Sequence, residues 1–296
     1  NVNIPYGCRS GVCQSCMMQC LDTEPPRRAQ QGLKDTLKDS RYFLACQCHA
    51  EQDMTLTLPD QEGHYIEGHV AANEPLNRNT NLLVVKFAGA HRYKGGQFVN
   101  LQRTDGLTRS YSIANIPRNT GTLEFHIRRL PGGRFSAWVH DELRVDDAIQ
   151  ISEPKGQCFY LPDRKEQGLL LIGTGTGLAP LAGILHDALS HGHSGPIRLF
   201  HGSREKDDLY HADQMRKLAE QHANFSYTPC VSGEFVPKGF TQGRASEAAL
   251  AAHGDLSGWK VFLCGHPDMV KNTQKQAYLK GAKLADIYCD AFVTHR

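Results

Sequence analysis

The chain has 296 residues, 40% of them hydrophobic and 22% charged, which suits a soluble protein of two or three domains. Its 33 Lys and Arg against 31 Asp and Glu leave a net charge of +2, so we expect neither a nucleic-acid surface nor an acidic disordered tail. Ten cysteines are too few for a disulfide scaffold at this length. Six of them nevertheless fall in the first 48 residues, which indicates a metal site near the N-terminus.

Two features bear on location. The chain begins Asn1-Val2-Asn3, without a methionine and without a basic region followed by an apolar run, so we expect a cut N-terminus and no secretory leader. Residues 168–185 carry no charge and approach the length of a spanning helix. Their glycines and Pro180 fit a buried strand, a loop and a helix start better, so we expect no membrane span. A thiol-rich chain of this kind is predicted to be cytoplasmic.

Residues 1–60 form the cysteine-rich region, with a polar stretch at 22–40 and a strand-like segment at 54–58. Residues 61–64 look like a linker. Cys8-x4-Cys13-x2-Cys16, followed by the distant Cys46, has the plant-type [2Fe–2S] spacing. Three thiolates must come from one tight loop, and small residues around them let backbone amides turn toward the sulfurs.

The competing interpretations of these cysteines are structural zinc and disulfides. Zinc sites favour two pairs of short spacings, and disulfides need an oxidising compartment. Cys20 and Cys48 fall outside the pattern and are predicted to be small buried residues. The region resembles the later part of the plant-type ferredoxin module, a β-grasp fold.

Residues 65–162 show short alternating strands separated by glycine and asparagine turns, which is typical of an antiparallel sandwich or barrel. One helix is predicted near 136–143. The strands are predicted at 81–87, 97–102, 109–113, 123–129 and 148–152.

Two motifs in this region could bind a flavin. In Arg109-Ser110-Tyr111-Ser112, an arginine can fork onto a diphosphate and an aromatic ring can lie on an isoalloxazine. Further on, glycines precede a helix whose N-terminus, with Ser136, can hold a phosphate. Each motif alone is weak, but their order inside a predicted barrel that precedes an α/β region is specific.

This arrangement resembles the ferredoxin–NADP reductase superfamily, whose barrel binds FAD or FMN. The resemblance implies that Arg109 contacts the diphosphate, that Tyr111 stacks on the flavin and that Ser112 lies near its N5 atom. The other implied flavin contacts are His126, Ile127 and Arg128 on the adenine-side strand, and Gly132, Gly133, Phe135 and Ser136 at the diphosphate. His126 could equally be an ordinary buried strand histidine.

Residues 166–296 alternate between strands and helices, which predicts a parallel sheet with helices on both faces. The strands are predicted at 169–172, 197–201, 225–230 and 260–264, and the helices at 178–190, 208–222, 245–253 and 267–280.

A glycine loop follows the first of these strands and can seat a pyrophosphate on a helix N-terminus. Its predicted cofactor contacts are Gly173, Thr174, Gly175, Thr176, Gly177 and Pro180. The loop reads G-x-G-x-x-P from Gly175, which is not the ordinary Rossmann fingerprint but matches the nucleotide loop of the superfamily.

The second strand ends His201-Gly202-Ser203-Arg204, followed by Glu205. We expect these strand-end residues to contact the cofactor. An arginine at this place favours the 2′-phosphate of NADPH, and an acid favours NADH. The residues leave the choice open, and resemblance to oxygenase-linked reductases favours NADH.

The fourth strand ends in Cys264-Gly265-His266-Pro267-Asp268-Met269. The superfamily resemblance implies that Cys264 lies beside the nicotinamide C4 atom and that Gly265 leaves room for the ring. The alternative for Cys264 is a small buried residue. Phe292, near the end of the chain, is expected to shield the far face of the flavin.

Together the three regions predict an electron-transfer enzyme, because a flavin can connect the two-electron donor NAD(P)H to a one-electron cluster. The predicted catalytic residues are Cys264, Ser112 and Tyr111. The order of regions resembles the iron–sulfur flavoprotein reductases of bacterial ring-hydroxylating dioxygenases and multicomponent monooxygenases, of the benzoate dioxygenase reductase type. We predict that the chain oxidises NAD(P)H and reduces a protein partner. A reductase for a free ferredoxin or a quinone-linked complex, and a non-catalytic redox-sensing or zinc module, are the alternatives.

Overall fold

A computed structural model of the chain describes residues 4, 7–11, 13–58, 65–88, 93–117 and 121–293. The chain divides into two compact units, residues 1–63 and residues 64–296. The predicted linker at 61–64 and the first three residues lie outside the described residues.

The first unit is built on a three-stranded antiparallel sheet in the order β2-β1-β3. Its strands are β1 (Met17–Cys20), β2 (Tyr42–Leu44) and β3 (Leu56–Thr57), and α1 (Asp35–Asp39) precedes β2. Cys20 is buried beside Met18 and Phe43, and Cys48 packs partly buried against them. The cysteines outside the cluster pattern therefore have the packing role expected of them.

The second unit begins with a six-stranded antiparallel barrel in the order β7-β6-β9-β4-β5-β8. An N–H···O bond from Ala114 to Glu124, 2.8 Å long, joins the end of β7 to β8. The elements are β4 (Tyr65–Asn77), β5 (Thr80–Phe87), β6 (Phe98–Gln102), β7 (Thr108–Ser112), β8 (Thr122–Arg128), α2 (Arg134–Asp141) and β9 (Ala148–Ser152). Five of the six strands were predicted, and the long β4 was not.

A parallel six-stranded sheet follows in the order β13-β12-β11-β10-β14-β15. Its strands are β10 (Leu169–Thr174), β11 (Ile197–Ser203), β12 (Phe225–Val231), β13 (Thr241–Gln242), β14 (Lys260–Gly265) and β15 (Ile287–Ala291). The helices are α3 (Leu178–Ser190), α4 (Ala212–Gln221), α5 (Ala245–Ala252) and α6 (Pro267–Leu279). Strand β10 lies at the centre and is buried on both faces, as its continuous apolar run predicts.

The chain reverses its direction of strand addition between β10 and β14. Such a switch point opens a crevice at the carboxyl ends of the strands, where ligands bind in parallel sheets. The glycine loop after β10 and the cysteine motif at the end of β14 both open into this crevice.

Helix α4 begins later than the predicted residue 208. His211 has a left-handed backbone (φ 58°) and is the N-cap of α4, and residues 206–208 form a separate 3₁₀ turn. Arg78 of the barrel binds Asp208 at 2.8 Å, which holds this turn apart from the helix.

The barrel and the parallel sheet are packed closely together through glycines. A Cβ atom on Gly183 of α3 would lie 2.8 Å from Gly96 N and 2.9 Å from Gly95 Cα in the turn before β6. Only a residue without a side chain allows this approach. The uncharged segment 168–185 is thus a strand, a turn and a packed helix. In the described parts of the chain, every helix is too short or too polar to cross a bilayer.

Candidate active site

Four thiols of the first unit fall into two pairs. The backbone N–H groups of Cys8 and Cys13 each donate to the other residue's Sγ, at 3.3 Å. Cys16 and Cys46 form the second pair, in which the partly buried Cys46 packs in the same cluster as the buried Cys16. The two sequence-distant parts of the predicted ligand set, one loop and one lone cysteine, thus come together in the fold.

Local hydrogen bonds favour the thiolate form at one member of each pair. Bonds from Ser10 and then from Cys13 lower the pKa of Cys8 to about 5. The side chain of Gln47 lowers the pKa of Cys46. A thiolate is the form that binds iron.

The four thiols fit a two-iron cluster better than a single zinc ion. A structural zinc site needs four ligands around one point. Four cysteines shared by two irons supply two thiolates to each iron. Two close pairs meet this demand.

Tyr111 and Arg109 lie on β7 at the mouth of the barrel. The Tyr111 ring is half-buried, and its centroid is 5.5 Å from that of Phe135 on α2. Arg109 is exposed and its guanidinium donates to the carbonyl of its neighbour Thr108. The motif therefore presents an aromatic face, which suits the isoalloxazine ring of a flavin, and beside it a cation, which suits the diphosphate.

Helix α2 begins at Arg134, after the N-cap residue Gly133, with no side-chain cap. The Ser136 hydroxyl donates to the Gly133 carbonyl and accepts from Leu130 N–H, both at 3.1 Å, so it closes the turn rather than facing a ligand. The first N–H groups of the helix are left without a side-chain partner, which is the feature that makes a helix N-terminus bind phosphate. Gly132 and Gly133 form the approach to this terminus, so the donor set fits a diphosphate.

The three predicted contacts on β8 have different surroundings. Ile127 is buried in the barrel core. His126 is buried with its Nδ1 3.0 Å from the Tyr210 hydroxyl, and burial lowers its pKa well below the usual value, as in an ordinary strand histidine. Arg128 is exposed, and a Cβ on Gly175 would lie 3.7 Å from its guanidinium. Arg128 therefore extends over the nucleotide loop.

The nucleotide loop is held from both sides. A Cβ on Gly177 would lie 2.2 Å from the Cys264 carbonyl oxygen, so the loop packs directly on the backbone of the cysteine motif. On the other side, His201 Nε2–H donates to the Gly175 carbonyl at 2.9 Å. Burial lowers the pKa of His201 to about 4, so its ring is neutral near neutral pH. His201 thus shapes the loop without facing a ligand.

Several further predicted contacts support this loop by packing. Gly173 lies against Leu181 and Gly202 against Ala245, and Pro180 is buried in the first turn of α3. Thr174 accepts a hydrogen bond at Oγ1 from the backbone of His266. Thr176 is half-exposed in the turn and is available to a ligand.

The cysteine motif forms the floor of the crevice. Cys264 is fully buried. Gly265 has φ 120° and a Cβ there would lie 2.6 Å from Thr174 Oγ1, so this position requires glycine. The Phe292 N–H donates to the Gly265 carbonyl at 2.8 Å. The tail of the chain therefore runs along this motif, and the shielding of the flavin by Phe292 stays a prediction.

A hydrogen bond that the sequence analysis missed connects the two halves of the site. The Ser112 hydroxyl donates to Asp290 Oδ2 at 2.7 Å, and Asp290 is the register partner of Cys264 on the neighbouring strand. Burial raises the pKa of Asp290, and the bond from Ser112 opposes that shift. Ser112 and Cys264 therefore lie at the two ends of one short chain of contacts, although 152 positions separate them in the sequence (264 − 112).

The end of β11 carries the residues expected to read the adenosine ribose. Arg204 is exposed, whereas the Glu205 carboxylate is bound at 2.9 Å by Arg78 from the β4–β5 turn. Ser203 donates to the Glu205 carbonyl. The exposed Arg204 guanidinium and the Glu205 carboxylate, which is paired with Arg78, are therefore neighbours at this end of the crevice.

The sequence matches three family models that agree with this architecture. They are the 2Fe-2S iron-sulfur cluster binding domain over residues 1–51, the oxidoreductase FAD-binding domain over residues 67–160 and the oxidoreductase NAD-binding domain over residues 171–275.

Known proteins with similar chains are reductase components of oxygenases. The chain is 31% identical to the ferredoxin–NAD(P)+ reductase component of a naphthalene 1,2-dioxygenase system from Pseudomonas putida, over 98% of this chain and 90% of that protein. It is 32% identical to the reductase component of a phenol 2-monooxygenase from a Pseudomonas species, over 90% and 79%. Among solved structures, the Amycolatopsis cytochrome P450 reductase GcoB matches with a TM-score of 0.74 at 29% identity, over 98% and 91%.

The chain therefore belongs to the ferredoxin–NAD(P)+ reductase family, among the electron-transfer components of oxygenase systems. It is an oxidoreductase whose cofactors are a [2Fe–2S] cluster, FAD and NAD(P)H. The predicted family, fold class and enzyme class are confirmed.

Proposed function

We propose that the chain oxidises NAD(P)H in the crevice between the barrel and the parallel sheet and reduces an oxygenase component as its protein acceptor. The observation that carries this proposal is the contact of Ser112 with Asp290, which places a barrel hydroxyl beside the Cys264 strand. When bound, FAD accepts hydride and passes electrons singly to the cluster. We further propose three functional regions, at 1–60, 65–162 and 166–296, in line with the three matched family models.

The residues of the second unit divide the work of binding. Arg109 and the uncapped start of α2 would hold the FAD diphosphate, and Tyr111 would cover the ring. The loop at Gly175 and the exposed Arg128 would hold the diphosphate of NAD(P)H. A helix N-terminus and an arginine fork are complementary to that charge.

The residues at the meeting point exclude water and hold a proton. Ser112 and Cys264 are both buried, so solvent is kept from the place where the two rings would meet. The Ser112 hydroxyl proton lies on the bond to Asp290. A bound nicotinamide ring would pack against Cys264 at the floor of the crevice.

The acceptor would approach the first unit on the side of Cys8 and Cys13. Both residues are exposed, whereas Cys16 is buried. Electron transfer is fastest to the exposed edge, because distance and intervening protein are smallest there. The thiolate ligands also favour a reducing compartment such as the cytoplasm.

Metal analysis and an anaerobic titration test the proposal. Purified chain should contain iron and acid-labile sulfide in equal amounts at about twice the FAD content, as a two-iron cluster requires. Stepwise addition of NADH should then bleach both the flavin and the cluster absorbance. Flavin without iron, or a cluster that stays oxidised while the flavin is reduced, would contradict the proposal. Rapid cluster reoxidation by an oxygenase component, and not by a quinone, would support the acceptor.

A further inference from the structure

Two buried thiols meet beside the proposed nicotinamide site. Cys158 Sγ lies 3.6 Å from Cys264 Sγ, and the residues are 4% and 0% exposed. This distance is a hydrogen-bond contact rather than the roughly 2.05 Å of a disulfide, and both cysteines are free. Cys158 is thus a second sulfur at the site, and it comes from outside the motif that contains Cys264.

Cys158 reaches this position from the flavin side of the crevice. A Cβ on Gly96 would lie 2.4 Å from the Cys158 carbonyl oxygen, and the Gly96 N–H donates to Ile113, the residue after Ser112. The Cys158 side chain nevertheless belongs to the apolar core of the parallel sheet, together with Cys264. Its backbone therefore packs on the Gly96 turn, which is hydrogen-bonded to the residue after Ser112, and its sulfur touches Cys264.

The surroundings keep the Cys264 sulfur protonated. Burial raises the pKa of Cys264 well above the usual value, and the hydrogen bond with Cys158 raises it further. One S–H group then donates to the other sulfur. A cysteine side chain has a single heavy-atom torsion, with three staggered positions for its sulfur. A contact made by the sulfur itself therefore selects one of them.

We propose that Cys158 is a positioning residue for hydride transfer, because its thiol holds the Cys264 sulfur in the rotamer that faces the nicotinamide ring. The inference rests on the proposed function, which places that ring against Cys264. Cys158 itself does not touch the ring; it acts through Cys264.

Transient kinetics of the FAD-loaded chain test the proposal. After anaerobic mixing with NADH, the rate constant of flavin bleaching should fall about three- to tenfold in Cys158→Ala, the effect of one lost hydrogen bond. The dissociation constant for NADH should change by less than about twofold, because the substitution leaves the ground-state binding of NADH unchanged. Cys158→Ser retains a donor and should recover most of the rate. In a Cys264→Ala background, Cys158→Ala should have no further effect, because coupled residues are not additive.

Infrared spectroscopy of the S–H stretch supplies a readout independent of activity. The difference spectrum between the parent and Cys158→Ala should contain the lost Cys158 band and a shifted Cys264 band. Cys230→Ala is the matched control, because Cys230 is a buried free thiol of the same sheet whose sulfur contacts the Thr228 carbonyl. The Cys230→Ala variant should lose one S–H band and shift no other S–H band. It should keep the parent rate constant of flavin bleaching.

The outcomes test the positioning role of Cys158 and the proposed function separately. If Cys264→Ala is slow while Cys158→Ala matches the parent, the positioning role is wrong and the proposed function stands. If Cys264→Ala is as fast as the parent, the ring does not lie against Cys264 and the proposed function of this site fails. Should Cys158→Ala not bind FAD, an unshifted Cys264 band in Cys158→Ser, where a hydroxyl replaces the S–H partner, would overturn the positioning role.

Discussion

Asp290 is a half-buried carboxyl group with one hydrogen-bond donor from another part of the fold, the Ser112 hydroxyl. Burial disfavours its charged form, and the single bond compensates only in part. An acid whose pKa is raised in the folded state stabilises the fold fully below its unfolded pKa of 3.8. That contribution is lost as the pH rises through the folded pKa.

Asp290→Asn should therefore become more stable relative to the parent as the pH rises above about 4, until the difference levels off above the folded pKa. Urea unfolding midpoints of both proteins, measured at half-unit steps of pH, check this. Ser112→Ala removes the bond that favours the carboxylate, so its own stability should fall more steeply with pH than that of the parent. A difference that is flat with pH would show that the pKa of Asp290 is not raised, and one that falls would show that it is lowered.

Arg204 should favour the binding of NADPH, and Glu205 should favour the binding of NADH. Arg204→Leu should lower kcat/KM for NADPH by about 10- to 100-fold, the loss of a charged hydrogen bond to the 2′-phosphate, and leave that for NADH nearly unchanged. Glu205→Gln is the matched control and should affect NADH more than NADPH. Steady-state kinetics with both cofactors decide it. Equal losses for the two cofactors in Arg204→Leu would place the 2′-phosphate elsewhere.

At the level of elements, the local sequence pattern predicted the regular strands and helices well. It failed where contacts with distant parts of the chain determine whether a strand forms. Strand β4 was missed because Gly68 and Pro75 interrupt its alternation, although β5 and β9 pair with it from both sides. Strand β15 is only five residues long, and it forms along the edge that β14 offers it. No sequence signal marks Asp290 or Cys158, since each acquires its role from a partner more than a hundred residues away.

The Cys264–Gly265 end of β14 has a backbone geometry that allows little change. Gly265→Ala should lower the free energy of unfolding by at least about 2 kcal/mol, through backbone strain and the clash with Thr174. It should also weaken NAD(P)H binding, because Cys264 is displaced. Chemical denaturation and cofactor titration measure the two effects. Gly254→Ala, with open space around its added methyl group, should change neither, and a parental Gly265→Ala would contradict the close packing of this crevice.

For the whole molecule, the division into two units predicts that the cluster and the flavin can be lost independently. Cys46→Ser should lose iron and the reduction of one-electron protein acceptors, yet retain FAD and NAD(P)H-driven reduction of ferricyanide. Cys20→Ser, a buried thiol outside both pairs, should keep the iron. Iron content, flavin content and the two assays give the result. Loss of FAD from Cys46→Ser would show that the units depend on each other to fold.

The course of the last strand has a practical consequence for handling this protein. Phe292 is hydrogen-bonded to Gly265, so a peptide handle joined directly after Val293 would begin beside the proposed nicotinamide site. An affinity handle there would compete with nicotinamide for entry and could be mistaken for weak cofactor affinity. A cleavable handle, removed before any kinetic measurement, avoids that artefact.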